Sequence, residues 1–424
     1  MAIMLRRKSQ TELITGLDIG QTAVRVVVGK LARNQGFGQP ELQIVGMTEV
    51  PSEGVNRGII TSIEESVSAI SHALEQTERQ IGVPIEHAWV GISGPHIQSQ
   101  ESKGVVAVAK PDGEISFEDI ERALEAARTV ATPLNYEILH VLPRSYSVDG
   151  QTGIKDPVGM TGIRLEVDTQ IIQGAAAQIK NLTKAVYRTS IDIDDLVFSI
   201  LAAGEAVVTP RQKELGVCVV NIGGATTGLI VYEEGDVVHT AVLPAGSSHV
   251  TNDLAIGLRS SIDVAERVKK EYGECSEIDF SKKDVIDLAT VGADFKEDVL
   301  RKDVADYINA RMEEILEKVD QELKKINRSR LLPAGIVFTG GGSKISGLIE
   351  LAKEKLGLPA SLGYPLGLKS VSDKINDMSF VTAVGLVVWG AHLHQSGARR
   401  AGLSAKTVER VSRRVKDWFK SLVP

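Results

Sequence analysis

Apolar residues recur along the chain in two alternating patterns, short β-branched runs and longer amphipathic stretches. The run 42–47 has the composition of a buried strand, and the stretch 63–81 repeats apolar residues every three or four positions. The second half of the chain alternates in the same way, beginning with the run 216–232. Strand runs that alternate with helical patterns predict α/β domains, here two halves built on a similar plan.

Two strand runs, about two hundred residues apart, lead into the same kind of turn, which contains a glycine and a hydroxyl residue and precedes a second apolar strand. Glycine lets main-chain N–H groups approach phosphate oxygens, and threonine adds a hydroxyl donor. An acid at the turn, here Asp18, can orient Mg²⁺ through a bound water. One such turn also occurs in unrelated hairpins, so the duplication is what favours a polyphosphate. The predicted phosphate-binding residues are Asp18, Gly20, Gln21, Thr22, Asn221, Gly223, Gly224 and Thr226.

A third turn follows the apolar run 334–339 and precedes a helical pattern that begins near Ile345. A strand, a glycine turn and a helix start bring the backbone and a helix N-terminus up to an anionic or planar ligand. The alternative is a flexible turn that only connects a strand to a helix. The predicted ligand-binding residues here are Gly340, Gly341, Gly342 and Ser343.

Residues 85–168 form an insertion with its own pattern of strands and a single helix. Ser116 and Asp119 have the spacing of a helix-opening capping box, with aspartate in place of the preferred glutamate. This pattern predicts a compact small sheet with one helix. The segment 202–207 consists mostly of small residues, which would let two halves pack closely at a hinge; the alternative is a helix packed on its neighbour.

The C-terminal residues 406–424 have the pattern of a basic amphipathic helix that follows a linker-like segment. Six basic and two acidic side chains give this segment a charge of +4 and leave −11 to the rest of the chain. A helix with one apolar face and flanking cations suits an anionic bilayer, whereas the alternative is docking on the protein's own body or in a partner's groove. The predicted membrane-binding residues are Val411, Arg414, Val415, Trp418, Phe419, Lys420 and Leu422.

Composition excludes several classes of protein. The 424 residues are enough for two to four domains, and 43% hydrophobic with 24% charged residues is typical of globular proteins. No apolar run approaches the ~20 residues that span a bilayer, and the first eight residues do not have the order of a secretory signal, so we expect a cytoplasmic protein. A net charge of −7 disfavours nucleic acid as a partner. The two cysteines and the pair His392 and His394 do not form a metal-binding pattern.

The three turns, in this order and separation, resemble the phosphate-1, phosphate-2 and adenosine motifs of the actin/Hsp70/sugar-kinase ATPase superfamily. Other segments are similar to the FtsA family of bacterial division proteins. The most specific is 153–160, Gly-Ile-Lys-Asp-Pro-Val-Gly-Met, because actin and Hsp70 have no similar segment. The resemblance extends from about residue 11 to the C-terminus. The remaining segments that carry it are 51–60, 89–97, 139–143 and 214–220.

This resemblance implies an α/β, actin-like two-lobed ATPase fold with duplicated ribonuclease-H-like cores, an inserted small α+β subdomain and a C-terminal amphipathic helix. The expected divisions are subdomain 1A at 1–84 and 169–200, the inserted subdomain 1C at 85–168, subdomain 2A at 201–232 and 304–391, subdomain 2B at 233–303, a flexible linker at 392–405 and the membrane-targeting helix at 406–424.

The family pattern also covers the segments 243–248 and 263–269, the second of which flanks the nucleoside. Gly246 lies in the matching segment 243–248, and Glu266 and Lys269 lie in the segment 263–269 that flanks the nucleoside. Three positions apart on a helix, Glu266 and Lys269 share a face and could reach one ribose and adenine edge. The alternative for this pair is an exposed ion pair of little energetic value.

Membership of this family would imply an ATP- and Mg²⁺-binding protein that polymerises at the cytoplasmic face of the membrane at the division septum. Its expected partners are the C-terminal tail of FtsZ through 2B, later division proteins through 1C, other copies of itself and anionic inner-membrane lipids. Two other functions fit the same superfamily: a PilM-like scaffold for type IV pilus assembly, and a catalytically competent ATPase or kinase.

The chain departs from the superfamily pattern at the second turn. Asn221 stands where an aspartate is usual, and Gly228 replaces the aspartate that usually follows the paired threonines. Asparagine can accept a hydrogen bond from a metal-bound water, but it adds no negative charge to hold Mg²⁺ or to lower the pKa of a water. We therefore expect ATP binding with weak or absent hydrolysis. Glu205 is the obvious acid of the segment 202–207, and no residue is assigned as a general base.

Overall fold

The structure is a computed structural model that describes residues 12–32, 41–129, 133–275, 284–293 and 297–400. The predicted membrane-binding helix at 406–424 lies outside the described residues. Within them, none of the helices combines the length and the apolar composition that crossing a membrane requires.

The described strands and helices follow one another in the alternation that the sequence predicts. The strands are β1 (Glu12–Ile19), β2 (Ala23–Ala32), β3 (Glu41–Pro51), β4 (Val55–Asn56), β5 (Ile59–Ile60), β6 (His87–Ile92), β7 (Ile97–Ala107), β8 (Tyr136–Val148), β9 (Gln151–Ile154), β10 (Arg164–Ala175), β11 (Asp192–Phe198), β12 (Val217–Ile222), β13 (Thr227–Glu233), β14 (Asp236–Leu243), β15 (Val285–Asp287), β16 (Asp298–Leu300), β17 (Ile336–Thr339), β18 (Ala360–Leu362) and β19 (Lys369–Ser370). The helices are α1 (Ile63–Ile81), α2 (Phe117–Thr129), α3 (Ala176–Tyr187), α4 (Ser199–Val207), α5 (Pro210–Leu215), α6 (Ser247–Gly257), α7 (Ile262–Tyr272), α8 (Arg301–Lys325), α9 (Leu348–Leu356) and α10 (Val381–Arg400).

Two sheets with the same strand order form the centres of two lobes. The first has the order β11-β6-β1-β2-β3-β19, and the second has the order β18-β17-β12-β13-β14. In each sheet the strand that leads into the turn pairs antiparallel with the next strand and parallel with a later one. In the first sheet β1 pairs with β2 and β6 in this way, and in the second sheet β12 pairs with β13 and β17. The prediction that the two halves share a plan is therefore confirmed.

The central strands are buried on both faces, which explains their continuous apolar sequences. In β2 the residues Val24, Val26, Val27 and Val28 are fully buried, and β12 is buried at five of its six positions. Helices α1 and α10 pack on the first sheet, and helix α8 contributes a buried stripe to the core of the second lobe. These rigid sheets hold the turns at their strand ends in fixed positions.

The inserted unit is a four-stranded sheet, β7-β10-β8-β9, covered by α2, as the pattern predicts. Asp119 at the start of α2 is fully buried and accepts hydrogen bonds from the main-chain N–H and hydroxyl of Ser116 at 2.8 and 2.7 Å. It also accepts from the main chain of Ala109 and from Arg122, and together these bonds hold the pKa of Asp119 well below its usual value, although burial alone would raise it.

The predicted limits of this insertion, 85–168, require correction. Strand β6 lies between β1 and β11 in the first sheet, and β10 continues in the inserted sheet as far as Ala175. The inserted sheet therefore starts after Ile92 and ends near residue 175. An apolar strand has the same composition in either sheet, so the sequence pattern could not assign β6.

The chain returns to the first lobe at its end, which corrects the expected assignment of 304–391 entirely to the second core. Strand β19 pairs with β3, and α10 lies against β1, where the carbonyl oxygen of Ala383 approaches the missing Cβ position of Gly16 to 2.3 Å. Helix α10 also continues to Arg400, so the first part of the expected linker at 392–405 is helical. Buried apolar residues along α10 explain its packing on the sheet.

The segment of small residues, 202–207, lies in α4, which packs closely against α10. A Cβ atom on Gly385 would stand 2.0 Å from the carbonyl oxygen of Ala202, so only glycine permits this approach of the two helix backbones. The alternative of a helix packed on its neighbour is therefore confirmed, and the hinge stays a prediction.

Candidate functional site

The two predicted turns have the same main-chain structure. The N–H of Gly20 donates to the carbonyl oxygen of Ala23 at 3.1 Å, and the N–H of Gly223 donates to that of Thr226 at 2.9 Å. At both glycines an added Cβ atom would stand 2.9 Å from that carbonyl oxygen, which is too close. Glycine is therefore required at the first position of each turn.

Both turns line one cavity of about 130 Å³ between the two lobes. Asp18 and Asn221, the residues that open the two turns, lie on its wall together with residues of the third turn. The lobes approach closely here, since a Cβ atom on Gly224 would stand 2.7 Å from the Cγ2 atom of Thr22. The predicted residues that line this cavity are Asp18, Gly20, Gln21, Thr22, Asn221, Gly223, Gly224, Thr226, Gly340 and Gly341.

The third turn fits closely under the second one. Gly340 has a φ of +87°, and its missing Cβ position is 2.2 Å from Oδ1 of Asn221. A Cβ atom on Gly342 would stand 2.4 Å from Cγ2 of Ile222, whereas Gly341 is open, with its nearest neighbour 3.8 Å away. Two of the three glycines thus make room for the protein itself, and Gly341 leaves space on the cavity side.

Two predicted residues support the cleft without lining it. Ser343 is buried, and its hydroxyl donates to the carbonyl oxygen of Thr339 at 2.6 Å. Gly246 packs under the second turn, where a Cβ atom would stand 2.6 Å from the carbonyl oxygens of Gly223 and Gly224. Neither residue lines the two cavities that contain the predicted site. Their roles are structural in this conformation.

Asp18 and Asn221 differ in their electrostatics. Burial raises the pKa of Asp18 to about 6, although the positive charge of Arg25 opposes this shift. The side-chain amide of Asn221 donates to the hydroxyl of Thr382 at 3.0 Å and carries no charge. A carboxylate held where its charge is poorly solvated favours a nearby cation, so Asp18 is the stronger candidate for contact with a hydrated metal ion.

Three helices begin at the cavity wall. Ser199 at the start of α4, Ser247 at the start of α6 and Thr382 at the start of α10 all line it. The positive end of the helix dipole favours an anion at such positions, although the N–H groups of Ser247 and Ser248 at the start of α6 already donate to the carbonyl oxygens of Gly223 and Gly224. The cavity is therefore suited to a ligand with several negative charges.

A second cavity, of about 620 Å³, adjoins the first and contains the predicted nucleoside residues. Glu266 and Lys269 line it and form an ion pair of 2.6 Å, with Lys269 only 9% exposed. Burial lowers the pKa of Lys269. Burial also raises the pKa of Glu266, but hydrogen bonds from Lys269 and Thr251 outweigh that effect and leave it lowered. In the cleft wall Lys269 is thus buried, whereas its partner Glu266 is half-buried. The two cavities share Thr22, Arg25, Ser247, Gly341 and Ser379.

Sequence reasoning missed Arg25, which lines both cavities. Its guanidinium group donates to Glu49 at 2.7 Å and lies 5.7 Å from the centre of the Phe380 ring. Arg25 pairs with Asp18 across the first hairpin, as Gly228 pairs with Asn221 across the second. Pairing the residues of the first hairpin outward from its turn places Arg25 opposite Asp18, and this register could have identified Arg25 from the sequence.

Glu205 does not reach the cleft. Its carboxylate accepts a hydrogen bond of 2.6 Å from Lys213, and both side chains are largely buried. Among the described residues, no group of three or more His, Cys, Asp or Glu side chains could hold a metal ion.

Comparison with known proteins identifies the family. A family model described as cell division protein FtsA matches residues 218–385, and a model of the SHS2 domain inserted in FTSA matches residues 94–173. The cell division protein FtsA of Pseudomonas aeruginosa is 37% identical over 386 residues, which cover 91% of either chain. The chain belongs to the FtsA family of cell division proteins. FtsA of Bacillus subtilis is 36% identical over 93% of this chain and 87% of its own length, and FtsA of Escherichia coli is 31% identical over 98% of both.

Solved structures have the same fold at much lower identity. The PilM-PilN type IV pilus biogenesis complex contains a chain with a TM-score of 0.64 at 16% identity, covering 89% of this chain and 98% of that one. MreB5 of Spiroplasma citri bound to ADP gives a TM-score of 0.54 at 12% identity, covering 92% and 99%. The FtsA-family chain therefore has the actin-like ATPase fold that its motifs imply.

Proposed function

We propose that this FtsA-family chain binds ATP and Mg²⁺ between its lobes, polymerises at the cytoplasmic face of the cell membrane and tethers FtsZ filaments to that membrane at the division septum. The observation that supports the proposal is the convergence of three glycine turns on one cavity between two similar sheets. The MreB5 chain with the same fold is bound to ADP, which also favours a nucleotide.

In this proposal the phosphates lie between the first and second turns. Main-chain N–H groups around Gly20 and Gly223 would bind the phosphate oxygens, and the positive ends of the three helix dipoles would favour their negative charge. Mg²⁺ would screen the charge of the phosphates, with Asp18 orienting its bound water. The nucleoside would occupy the second cavity beside Glu266.

Hydrolysis should be slow because the second turn lacks a carboxylate. A variant Asn221→Asp would supply that charge while keeping the contact to Thr382, which lies 3.0 Å from the present side-chain nitrogen. We expect phosphate release from Mg-ATP to increase by about tenfold or more. Phosphate release by purified protein measures this, with Asn221→Ser as an uncharged control. Equal turnover in the aspartate variant and the wild type would show that this substitution does not limit the chemistry.

Membrane attachment would depend on residues 406–424, with Trp418 and Phe419 in the acyl boundary and the basic residues at lipid phosphates. A helix this short binds weakly alone, so many copies in one filament should bind where a single copy does not. Polymerisation and membrane attachment are therefore expected to be coupled. FtsZ would bind through its C-terminal tail to the region 233–303, and later division proteins would bind the inserted unit.

Sedimentation with anionic liposomes tests this function. Full-length protein should pellet with the vesicles, more strongly with Mg-ATP than without, and a protein ending at residue 405 should remain in the supernatant. Equal pelleting of the two proteins would exclude the proposed role of the tail. Vesicles of neutral lipid serve as the control for charge.

Two alternatives make different predictions. A PilM-like scaffold, which the TM-score of 0.64 supports at the level of fold alone, should remain at the envelope in cells when residues 406–424 are removed. A competent ATPase or kinase should release phosphate rapidly or phosphorylate a small molecule. The identity of 31–37% to FtsA proteins and the uncharged Asn221 favour the proposed function over both.

A further inference from the structure

A third cavity, of about 450 Å³, lies between the inserted unit and the second lobe. Its wall combines charged residues of β7, β8 and β10 with the turn between β13 and β14. Across it Lys155 forms an ion pair with Asp236 and donates to the carbonyl oxygen of Glu234 at 3.0 Å. Lys155 belongs to the segment 153–160, the most specific point of resemblance to the FtsA family, and nucleotide binding alone gives this lysine no role.

The segment 153–160 holds Lys155 in place from inside the inserted unit. The N–H of Gly159 donates to the carbonyl oxygen of Ile115 at 2.9 Å, and the N–H of Ile115 donates to that of Met160 at 2.9 Å. Gly159 has a φ of +83°, which favours glycine. The main chain of the segment is thus anchored within the inserted unit, while the side chain of Lys155 extends to the second lobe.

Asp236 depends on Lys155 for the stability of its charge. The side chain of Asp236 is 19% exposed, and burial raises its pKa, whereas the hydrogen bond and the positive charge of Lys155 oppose this shift. Removal of one partner from such a pair leaves the other charge poorly solvated. The contact is therefore worth more than an ion pair that water surrounds.

The inserted unit is attached to the first lobe. The N–H of Phe198, at the end of β11, donates to Nε2 of His140 on β8 at 3.0 Å. The ring of His140 also meets the ring of Trp389 on α10 edge to face, with 5.8 Å between the ring centres. Strand β10 continues directly into α3. Lys155 therefore moves with the first lobe, whereas Asp236 belongs to the sheet of the second lobe.

Strand β13 connects the third cavity to the nucleotide cleft. Gly228 near its start lines the phosphate cavity, and Glu233 at its end lines the third cavity, about 17 Å away at ~3.3 Å per residue. Between these ends the strand lies along α4, where a Cβ atom on Gly228 would stand 3.4 Å from Cβ of Ile200. A Cβ atom on Gly204 would stand 2.3 Å from the hydroxyl of Tyr232. Strand β13 pairs with β12 and β14 along its length, so we expect the sheet to move as one body.

We infer that Lys155 and Asp236 form a latch between the lobes that is closed only while the nucleotide cleft is closed. The phosphate cavity is small and both lobes form its wall, so a nucleotide can enter or leave it only when the lobes move apart. In this structure the two phosphate turns approach each other at Thr22 and Gly224 while the latch is formed. Because the second sheet moves as one body, separation of the turns also displaces Asp236 from Lys155.

The latch therefore stabilises the conformation that encloses ATP, and ATP stabilises the latch by the same free energy. In this way the inserted unit responds to the state of a cleft that none of the latch residues contacts. The inference rests on the proposed nucleotide binding and gives the lysine of the segment 153–160 a role that the sequence did not suggest.

Calorimetry on full-length protein with Mg-ATP tests the inference. Asp236→Asn keeps the shape of the side chain, Lys155→Met keeps the apolar stem, and each removes the ion pair. Each variant should bind ATP about fivefold more weakly, because the closed cleft loses a contact that only it makes. The double variant should bind ATP about as well as either single variant, because both changes remove the same contact.

Hydrogen exchange measures the reciprocal effect. Saturation of the wild type with Mg-ATP should slow amide exchange at residues 233–236, since the latch opens less often in the closed conformation. The slowing should be much smaller in Asp236→Asn.

Lys103→Met is the matched control. Lys103 lines the same cavity and is 51% exposed, against 49% for Lys155, but it pairs with Glu166 inside the inserted unit. Its replacement should leave the affinity for ATP at the wild-type value. An equal loss in Lys103→Met and Lys155→Met would contradict the latch, because it would show a general effect of charge at this cavity.

Wild-type affinity in the folded Lys155 and Asp236 variants would overturn the inference alone, as would a double variant in which the two losses multiply. Wild-type protein that binds no ATP would overturn the proposed function and the latch with it.

Discussion

Asp18 carries a carboxyl group in the cleft that forms no ion pair within the described ranges. The guanidinium group of Arg25 contributes a favourable charge but forms its ion pair with Glu49. Burial therefore dominates and raises the pKa of Asp18 to about 6. The corresponding position of the second turn has the neutral Asn221. Only the first turn therefore contains a buried carboxylate, whose negative charge lowers the stability of the folded protein at neutral pH.

Replacement of Asp18 by asparagine should stabilise the nucleotide-free protein at neutral pH. Between the unfolded-state pKa of 3.8 and the folded-state pKa of about 6, the folded chain binds more protons, so wild-type stability falls as the pH rises through this window. Above the window Asp18→Asn should be more stable by about 3 kcal/mol, and near pH ~4 the difference should be smallest. Urea unfolding at several pH values measures this; a variant that is less stable than the wild type at neutral pH contradicts it.

At the scale of secondary-structure elements, the closest helix contact is between α4 and α10. Helix α4 connects the two lobes, and α10 is the last helix of the described residues. Gly385 allows the contact, since its missing Cβ position is 2.0 Å from the carbonyl oxygen of Ala202. Both helices begin at the cavity wall, α4 at Ser199 and α10 near Thr382. Their separation therefore also sets the width of the cleft at its base.

The change Gly385→Ala should force these helices apart. One methyl group at a main-chain contact of this kind should lower the free energy of unfolding by about 2 kcal/mol. Thermal or urea unfolding measures the effect. Gly341→Ala is the control, since its added methyl group would have 3.8 Å to the nearest atom and should change stability little.

A second contact between elements joins the inserted unit to the second lobe. Lys155, just after β9 in the segment that is most specific to the FtsA family, donates to the carboxylate of Asp236 and to the carbonyl oxygen of Glu234 at 3.0 Å. The side chain of Asp236 is 19% exposed, so water screens this ion pair only in part. The contact crosses from one folding unit to another and restrains their relative position.

Removal of this contact by Lys155→Ala should loosen the turn between β13 and β14 together with β9. We expect faster amide hydrogen exchange at residues 151–154 and 233–236, because local opening no longer breaks a charged hydrogen bond. Mass spectrometry of exchanged peptides measures this. Lys110→Ala, which removes an exposed pair with Glu114 inside the inserted unit, should leave both peptides unchanged.

At the scale of the whole molecule, the two lobes meet at their turns across the cavity. Gly224 of the second lobe and Thr22 of the first are so close that a Cβ atom on Gly224 would stand 2.7 Å from Cγ2 of Thr22. A larger side chain at position 224 would collide with Thr22 of the other lobe. The close approach of the two lobes at this point therefore depends on glycine at position 224.

The change Gly224→Ala should hold the cleft partly open and weaken ATP binding by about tenfold while each lobe stays folded. Addition of Thr22→Ser removes the Cγ2 atom but keeps the hydroxyl, so the double variant should recover part of the affinity. Calorimetry and circular dichroism measure the two effects. No recovery in the double variant would indicate that the loss arises inside the turn and not between the lobes.

The sequence predicted much of this site because its signals are local. A glycine followed by a hydroxyl residue at the end of a buried strand is visible in Asp18–Thr22 and again in Asn221–Thr226, and both turns line one cavity. Ser343 and Gly246 matched family segments, yet they pack behind the turns and do not line the cavity. Ser343 binds the carbonyl oxygen of Thr339, and Gly246 lies against the second turn. Sequence position alone does not distinguish a residue that faces the cavity from one that packs behind it.

What the sequence by itself determined is the alternation of strands and helices, the repeated hairpin with its turn, and the family, because strand periodicity, turn chemistry and family motifs are each contained in a short stretch of residues. What only the tertiary structure decided is where distant segments meet: the return of β19 and α10 to the first lobe, the place of β6 in the first sheet, the ion pair that removes Glu205 from the cleft, and the network of Thr251, Glu266 and Lys269. These depend on contacts between residues far apart in the chain, and apolar patterns are compatible with more than one such partner.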